Sequence, residues 1–200
     1  RNCLLKHGHG GIVIGSEVSA GANKLQVRQC LLEDTDRGLR IKTRRGRGST
    51  CQIDDILFEN VQMDRVLSPF VINMFYFCDP DGHSDYVQQK PPPPVNEDTP
   101  HIGTIQCRDV TCTNCSISGI YFYGLPEMPI DCAKLENVSI SFQPDAQEGY
   151  PEMMDDIRQV KKLGLFACNV KKLCLKNVKI EGYEGQRIQT DAIEEWIEED

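Results

Sequence analysis

Gly8-His9-Gly10-Gly11, Gly15-Ser16 and Arg40-Ile41-Lys42 contain the residue types needed to hold an anionic ligand. A histidine between glycines is crowded by backbone alone, so its ring can meet a ligand closely. On a β-strand, the spacing in Arg40-Ile41-Lys42 sends both cations to one face and Ile41 to the other. Two cations on one face suit a carboxylate-bearing ligand, the arginine offering a planar fork and the lysine a point charge. Each motif alone also has a plainer reading, a glycine turn or a solvated strand face, and it is their joint occurrence that points to a site.

The elements that must position these residues recur along the chain. A polar residue, then Asn, Asp or Gln, then Val or Cys, then any residue and an apolar one form a repeat. It occurs at Arg1-Asn2-Cys3, Arg28-Gln29-Cys30, Glu59-Asn60-Val61, Arg108-Asp109-Val110, Glu136-Asn137-Val138 and Lys176-Asn177-Val178, separated by 27 to 49 residues. A short strand unit at such intervals is what a solenoid produces, each rung stacking on the next. Strand alternation without a long helical period selects β over α. The expected fold is therefore all-β, a right-handed single-stranded parallel β-helix. The asparagines are expected at bends between strands, in a structural role. Stacked rungs bring strand ends that are distant in sequence together, and so place His9 near Arg40 and Lys42.

Other stretches attach to this frame. Pro69 to Phe77 reads as a further apolar strand. From Asp79 to Pro100 the chain is polar with four consecutive prolines, Pro91 to Pro94, a surface insertion that either flanks a cleft or behaves as a linker. Tyr121, Phe122 and Tyr123 place aromatics beside a turn, as a sugar-stacking rim or as core. Pro151 to Gly164 reads as a short amphipathic helix, with Pro in the first turn and Gly past the end. The acidic tail from Asp191 to Asp200 reads as an end cap or a frayed end.

Two hundred residues suffice for one domain with a substantial core. A net charge of -8 and a pI near 5.1 argue against a nucleic-acid or membrane-surface binder, since phosphate contacts need a basic face. The local exception is Arg37, Arg40, Lys42, Arg44, Arg45 and Arg47, expected to focus one positive patch. No apolar run is long enough to span a bilayer. Most of the ten cysteines stand where Val or Ile would stand in a strand, which implies reduced, buried thiols and a cytoplasmic protein. Cys107, Cys112 and Cys115 match a plant-type ferredoxin spacing, but two of them fall at apolar positions of the repeat, so neither metal nor cofactor is expected.

Lys6-His7-Gly8-His9-Gly10-Gly11-Ile12-Val13-Ile14-Gly15-Ser16-Glu17, followed by Gly38-Leu39-Arg40-Ile41-Lys42-Thr43, resembles the second half of the active-site signature of glycoside hydrolase family 28, the polygalacturonases. Asn73 to Phe77 and Gly119 to Pro126 resemble its bacterial exo-acting branch. The resemblance implies a pectin-lyase-like β-helix of which these residues form the C-terminal part, 1–200, with an insertion at about 79–100. In the family the two carboxylate motifs precede the Gly-His-Gly, so it also implies a solenoid truncated at its N-terminus, with an uncovered first rung able to pair with a second copy.

The resemblance further implies roles. His9 would lie beside the catalytic carboxylates, with His7 the lesser alternative. Arg40 and Lys42 would bind the galacturonate carboxylate, and Tyr76 would contact substrate. Inverting hydrolysis needs an acid and a base on opposite faces of the sugar. No pair in this sequence fits: Asp54 and Asp55 are adjacent and diverge, Asp155 and Asp156 fall in the expected helix, and Asp34 and Asp36 lie in a turn balanced by Arg37. The resemblance thus implies exo-acting, inverting hydrolysis of α-1,4-galacturonosyl linkages, in a fragment that lacks the acids and is inactive alone. The alternative is a non-catalytic β-helix module that binds acidic sugars.

Overall fold

The computed structural model describes all 200 residues. Strands β1 (Leu4–Lys6), β2 (Ile12–Ile14), β3 (Ala22–Asn23), β4 (Gln26–Glu33), β5 (Arg37–Lys42), β6 (Gln52–Asp54), β7 (Ile56–Asp64) and β8 (Ser68–Asn73) precede a single short helix, α1 (Asp85–Gln88). Strands β9 (His101–Ile102), β10 (Thr104–Cys115), β11 (Ser118–Tyr123), β12 (Ile130–Phe142), β13 (Leu163–Glu181) and β14 (Ile188–Glu199) follow. Every strand ladder is parallel. One face stacks β1, β4, β7, β10, β12 and β13; a second stacks β2, β5, β8 and β11 and returns to β13; β3, β6 and β9 form a third. Parallel strands joined by turns, in sequence order along each face, make a parallel β-helix.

The repeat is the register of the first face. Cys30, Val61, Val110, Val138 and Val178 lie opposite one another in successive strands, as do Leu32, Met63, Cys112, Ile140 and Ile180. Like side chains stack from rung to rung and fill one continuous apolar interior. The bends follow from the residue before each stacked Val or Cys. Asn2, Gln29, Asn60, Asp109, Asn137 and Asn177 all have φ between 50° and 59°, the left-handed region that Asn and Asp tolerate best. The Asn177 amide donates to Asn137 Oδ1 at 2.9 Å, and the Asn137 amide donates to Asp109 Oδ1 at 2.8 Å. This ladder links three of the six corner side chains, Asp109, Asn137 and Asn177, in the structural role expected of corner asparagines.

Three expectations change. Pro151 to Gly164 is not a helix: it runs as bends and turns to Lys162, and Leu163 and Gly164 already begin β13. Its periodic apolar residues are spent on tertiary contacts, with Pro151 and Met154 buried, and the segment lies as a strap across the outer side of β8 and β11. The tail is neither cap nor fray: β14 pairs in parallel with β13 as a further rung. The cationic stretch is not an open positive patch. Arg37, Arg40, Arg44 and Arg45 are buried. Arg44 is paired with Asp79 and Asp81, Arg45 with Glu127, and Arg47 with Asp79. Arg45 also donates to the carbonyls of Tyr86, Val87 and Gln89, which ties the segment around α1 to the solenoid.

All ten cysteines are free, and six are buried: Cys30, Cys51, Cys107, Cys112, Cys115 and Cys168. Burial pushes the Cys115 thiol up to about 12 and the Cys168 thiol to about 11, so both stay protonated and act as small apolar side chains.

Candidate functional site

β5 alternates as its pattern dictates. Leu39 and Ile41 enter the core, and Arg40 and Lys42 point outward. The neighbouring rung delivers His9. His7 occupies a bend in the same column as Asp34 and Arg65, and the chain beyond it lies against the start of β5: Asp36 N donates to Gly8 O at 3.0 Å, and Gly11 N to Arg37 O at 2.8 Å. Gly15 closes this strand against the end of β5. It has φ +92°, and a Cβ there would stand 1.9 Å from the Lys42 carbonyl oxygen, so only glycine fits.

His9 bridges an acid and a base. Its Nδ1 is 2.6 Å from Asp36 Oδ2, and its Nε2 is 3.2 Å from Arg40 Nη1. A guanidinium only donates, so Nε2 accepts and the ring proton sits on Nδ1, given to Asp36. Asp36 is therefore the partner of His9. Its expected balance with Arg37 is not made side chain to side chain, because the Arg37 guanidinium donates to the Asp36 and Tyr150 carbonyl oxygens.

Arg40 is held from the other side by Glu152. Nε donates to Oε2 at 2.6 Å and Nη2 donates to Oε1, a two-point fork with both side chains buried. Burial pulls the Arg40 guanidinium down, and Glu152 more than offsets this, holding it above its ordinary value. Glu152 was beyond sequence reasoning. It is 112 residues away in the strap, and only the tertiary path brings it to β5.

Tyr76 follows β8 on the next rung. Its backbone N–H donates to Thr43 O at 3.2 Å, and Asn73 fixes the turn by accepting from Phe75 N and donating to Met153 O. The ring of Tyr76 lies under both cations, 4.3 Å from Lys42 Nζ and 5.4 Å from Arg40 Cζ. Lys42 Nζ donates to Tyr76 OH at 3.2 Å and has no carboxylate partner. His9, Arg40, Lys42 and Tyr76 thus form one connected group. Within it the Arg40 fork is occupied, and the half-buried Lys42 carries the charge left uncompensated.

Such a group can bind a carboxylate at Lys42 and present the His9 ring, which is exposed, to a bound molecule. The carboxylates that border it are already engaged, Asp36 with His9 and Glu152 with Arg40.

Comparison with known proteins places the sequence among its relatives. The chain is 27% identical over 139 residues to a polygalacturonase of Medicago sativa, covering 68% of this chain and 30% of that protein. It is 30% identical over 116 residues to an exo-poly-alpha-D-galacturonosidase of Dickeya chrysanthemi, covering 58% of this chain and 19% of the relative. The matches therefore span less than a third of either relative's length. The solved family 28 exopolygalacturonase of Yersinia enterocolitica aligns with 96% of this chain and 29% of its own, at 17% identity and a TM-score of 0.46. The family described as glycosyl hydrolases family 28 matches residues 1–149, a stretch that holds the bend of His9, both cations of β5 and Tyr76. The chain belongs to glycosyl hydrolase family 28.

Proposed function

We propose that this chain carries the substrate-holding part of a polygalacturonase-type site, acting on α-1,4-linked galacturonosyl units from the chain end with inversion. The observation that carries this reading is Lys42, whose charge is uncompensated and whose ammonium is fixed over the Tyr76 ring, which also lies under Arg40, the partner of His9. A galacturonate carboxylate would complete that ion pair, and Arg40, locked by Glu152, would act mainly to fix the His9 ring. Names and family both support galacturonan as the polymer.

Inverting hydrolysis needs a carboxylic acid at the leaving oxygen and a carboxylate that activates water, about 6.5–9.5 Å apart. Asp36 and Glu152 are engaged with His9 and Arg40, so in this reading both catalytic groups come from outside these 200 residues. The engaged carboxylates also favour a second reading, a non-catalytic module that binds acidic sugar. Incubation of this chain with oligogalacturonate tests the first part: binding without release of reducing ends is expected. Release that disappears in Lys42→Ala would show that carboxylates within the chain suffice. Absence of binding would remove both readings, and hydrolysis by the native gene product would select the hydrolase.

A further inference from the structure

We propose a second binding site for a carboxylate-bearing sugar, in a cleft of about 240 Å³ on the far side of the strap. The proposal rests on the reading of this chain as a galacturonan-binding protein. The outward positions of the second face run Arg40, Val71, Tyr121, Phe166 and Gln189 in register across successive strands. At the spacing of neighbouring strands, Phe166 lies about 14 Å along the face from Arg40. Between them the strap covers Val71, which is fully buried although it points outward, and Tyr121. The face is therefore divided. Lys42, Tyr76 and His9 lie on one side, and on the other is a cleft lined by Tyr121, Tyr123, Phe166, Asp156, Arg158 and Gln189 among others.

The lining has the composition of a sugar site. Tyr121, buried under the strap, stacks on Phe166 with centroids 5.0 Å apart and braces it, and Tyr123 meets Phe166 edge-on at 5.6 Å, so the half-buried rings of Phe166 and Tyr123 make a rigid aromatic floor for the apolar face of a pyranose ring. Around it stand three polar groups of different kinds: the Gln189 amide, the Asp156 carboxylate as an acceptor for hydroxyls, and the Arg158 guanidinium. Arg158 is exposed and has no carboxylate partner, so its fork is free for a ligand carboxylate. A second cation backs the floor: Lys90 Nζ lies 5.2 Å from the Tyr123 centroid with no hydrogen-bond acceptor. Asp156 and Asp191 also lie near Tyr123, so the preference for an acidic ring over a neutral one rests on the open Arg158 fork. Most of the lining, from Pro151 to Gln189, lies beyond the residues that match the family.

Titration of the chain with trigalacturonate, followed by backbone amide NMR shifts, tests the site. The amides of Tyr123, Phe166 and Gln189 should shift with their own saturation curve and continue to do so in Lys42→Ala. Arg158→Gln should weaken that curve about tenfold, the size of one charge-assisted contact, and leave shifts around Gly15 and Lys42 unchanged. Shifts confined to the Lys42 side would overturn the proposal and leave the functional reading intact. Equal binding of neutral trigalactose in the cleft would overturn its acidic specificity. Silence on both sides of the strap would remove both.

Discussion

Glu152 and Arg40 form a two-point ion pair across 112 residues of sequence, with side chains 0% and 2% exposed. The pair joins the strap to the solenoid and, through Arg40 Nη1, sets the ring of His9. A fork held on its Nε edge by protein cannot turn that edge to a ligand. Of the two β5 cations, Lys42 is therefore the one that presents its charge outward.

Removing half of this pair should be costly. Glu152→Gln leaves a buried guanidinium without its counter-charge, for which about 3–5 kcal/mol of destabilisation is expected. The double change Arg40→Met with Glu152→Leu should cost much less, because neither charge is then buried. Urea unfolding of the two variants checks the ordering.

Gly15→Ala should destabilise the fold by about 3 kcal/mol, since the added Cβ would meet the Lys42 carbonyl at a positive φ that alanine resists. Thermal unfolding reads this directly.

Lys90 offers a change in the other direction. Its ammonium is desolvated between Phe75 and Tyr123 with no acceptor, and burial pulls it below its ordinary value against the opposing influence of Asp156. With its charged form disfavoured in the fold, stability should rise as pH climbs from the depressed folded value towards the unfolded 10.5. Lys90→Met should raise the melting temperature at pH 7 by about 2–4 °C, a shift corresponding to ~1 kcal/mol once partial exposure is discounted.

Acid should act through paired carboxylates. The hydrogen bond from Arg65 holds Asp34 below its ordinary 3.8, and those from Arg47 and Arg44 do the same for Asp79. At Asp131 burial pushes upward, but Lys171 and His101 outweigh it. The unfolded carboxylates bind protons at higher pH, so this stability is fully present above 3.8 and is lost as pH falls through the lower folded values. Arg65→Gln should be less stable than the parent at pH 5, and the gap should close once Asp34 is protonated. Circular dichroism against pH follows it.

The repeat was legible in the sequence because a β-helix stacks like residues in register, so the corner asparagines and the Val/Cys column recur wherever a rung does. Arg40 and Lys42 were legible as a pair, since two-residue spacing fixes a strand face. Glu152 was not, because nothing local marks its partner 112 residues away. The strap was misread as a helix since its apolar spacing suits one; burial of Pro151 and Met154 on β8 and β11, and the Glu152 fork, outweigh local propensity. The cationic stretch was misread as a patch because its acidic partners, Asp79, Asp81, Glu127 and Glu152, are supplied by later segments.

The central claim is that Lys42 reads the carboxylate of the sugar. Calorimetric titration of trigalacturonate into the Arg158→Gln chain, with and without Lys42→Ala, isolates that contact. Loss of one charge-assisted hydrogen bond should weaken binding about 10- to 100-fold, or about 1.5–3 kcal/mol. Equal affinity of the two proteins would contradict the account.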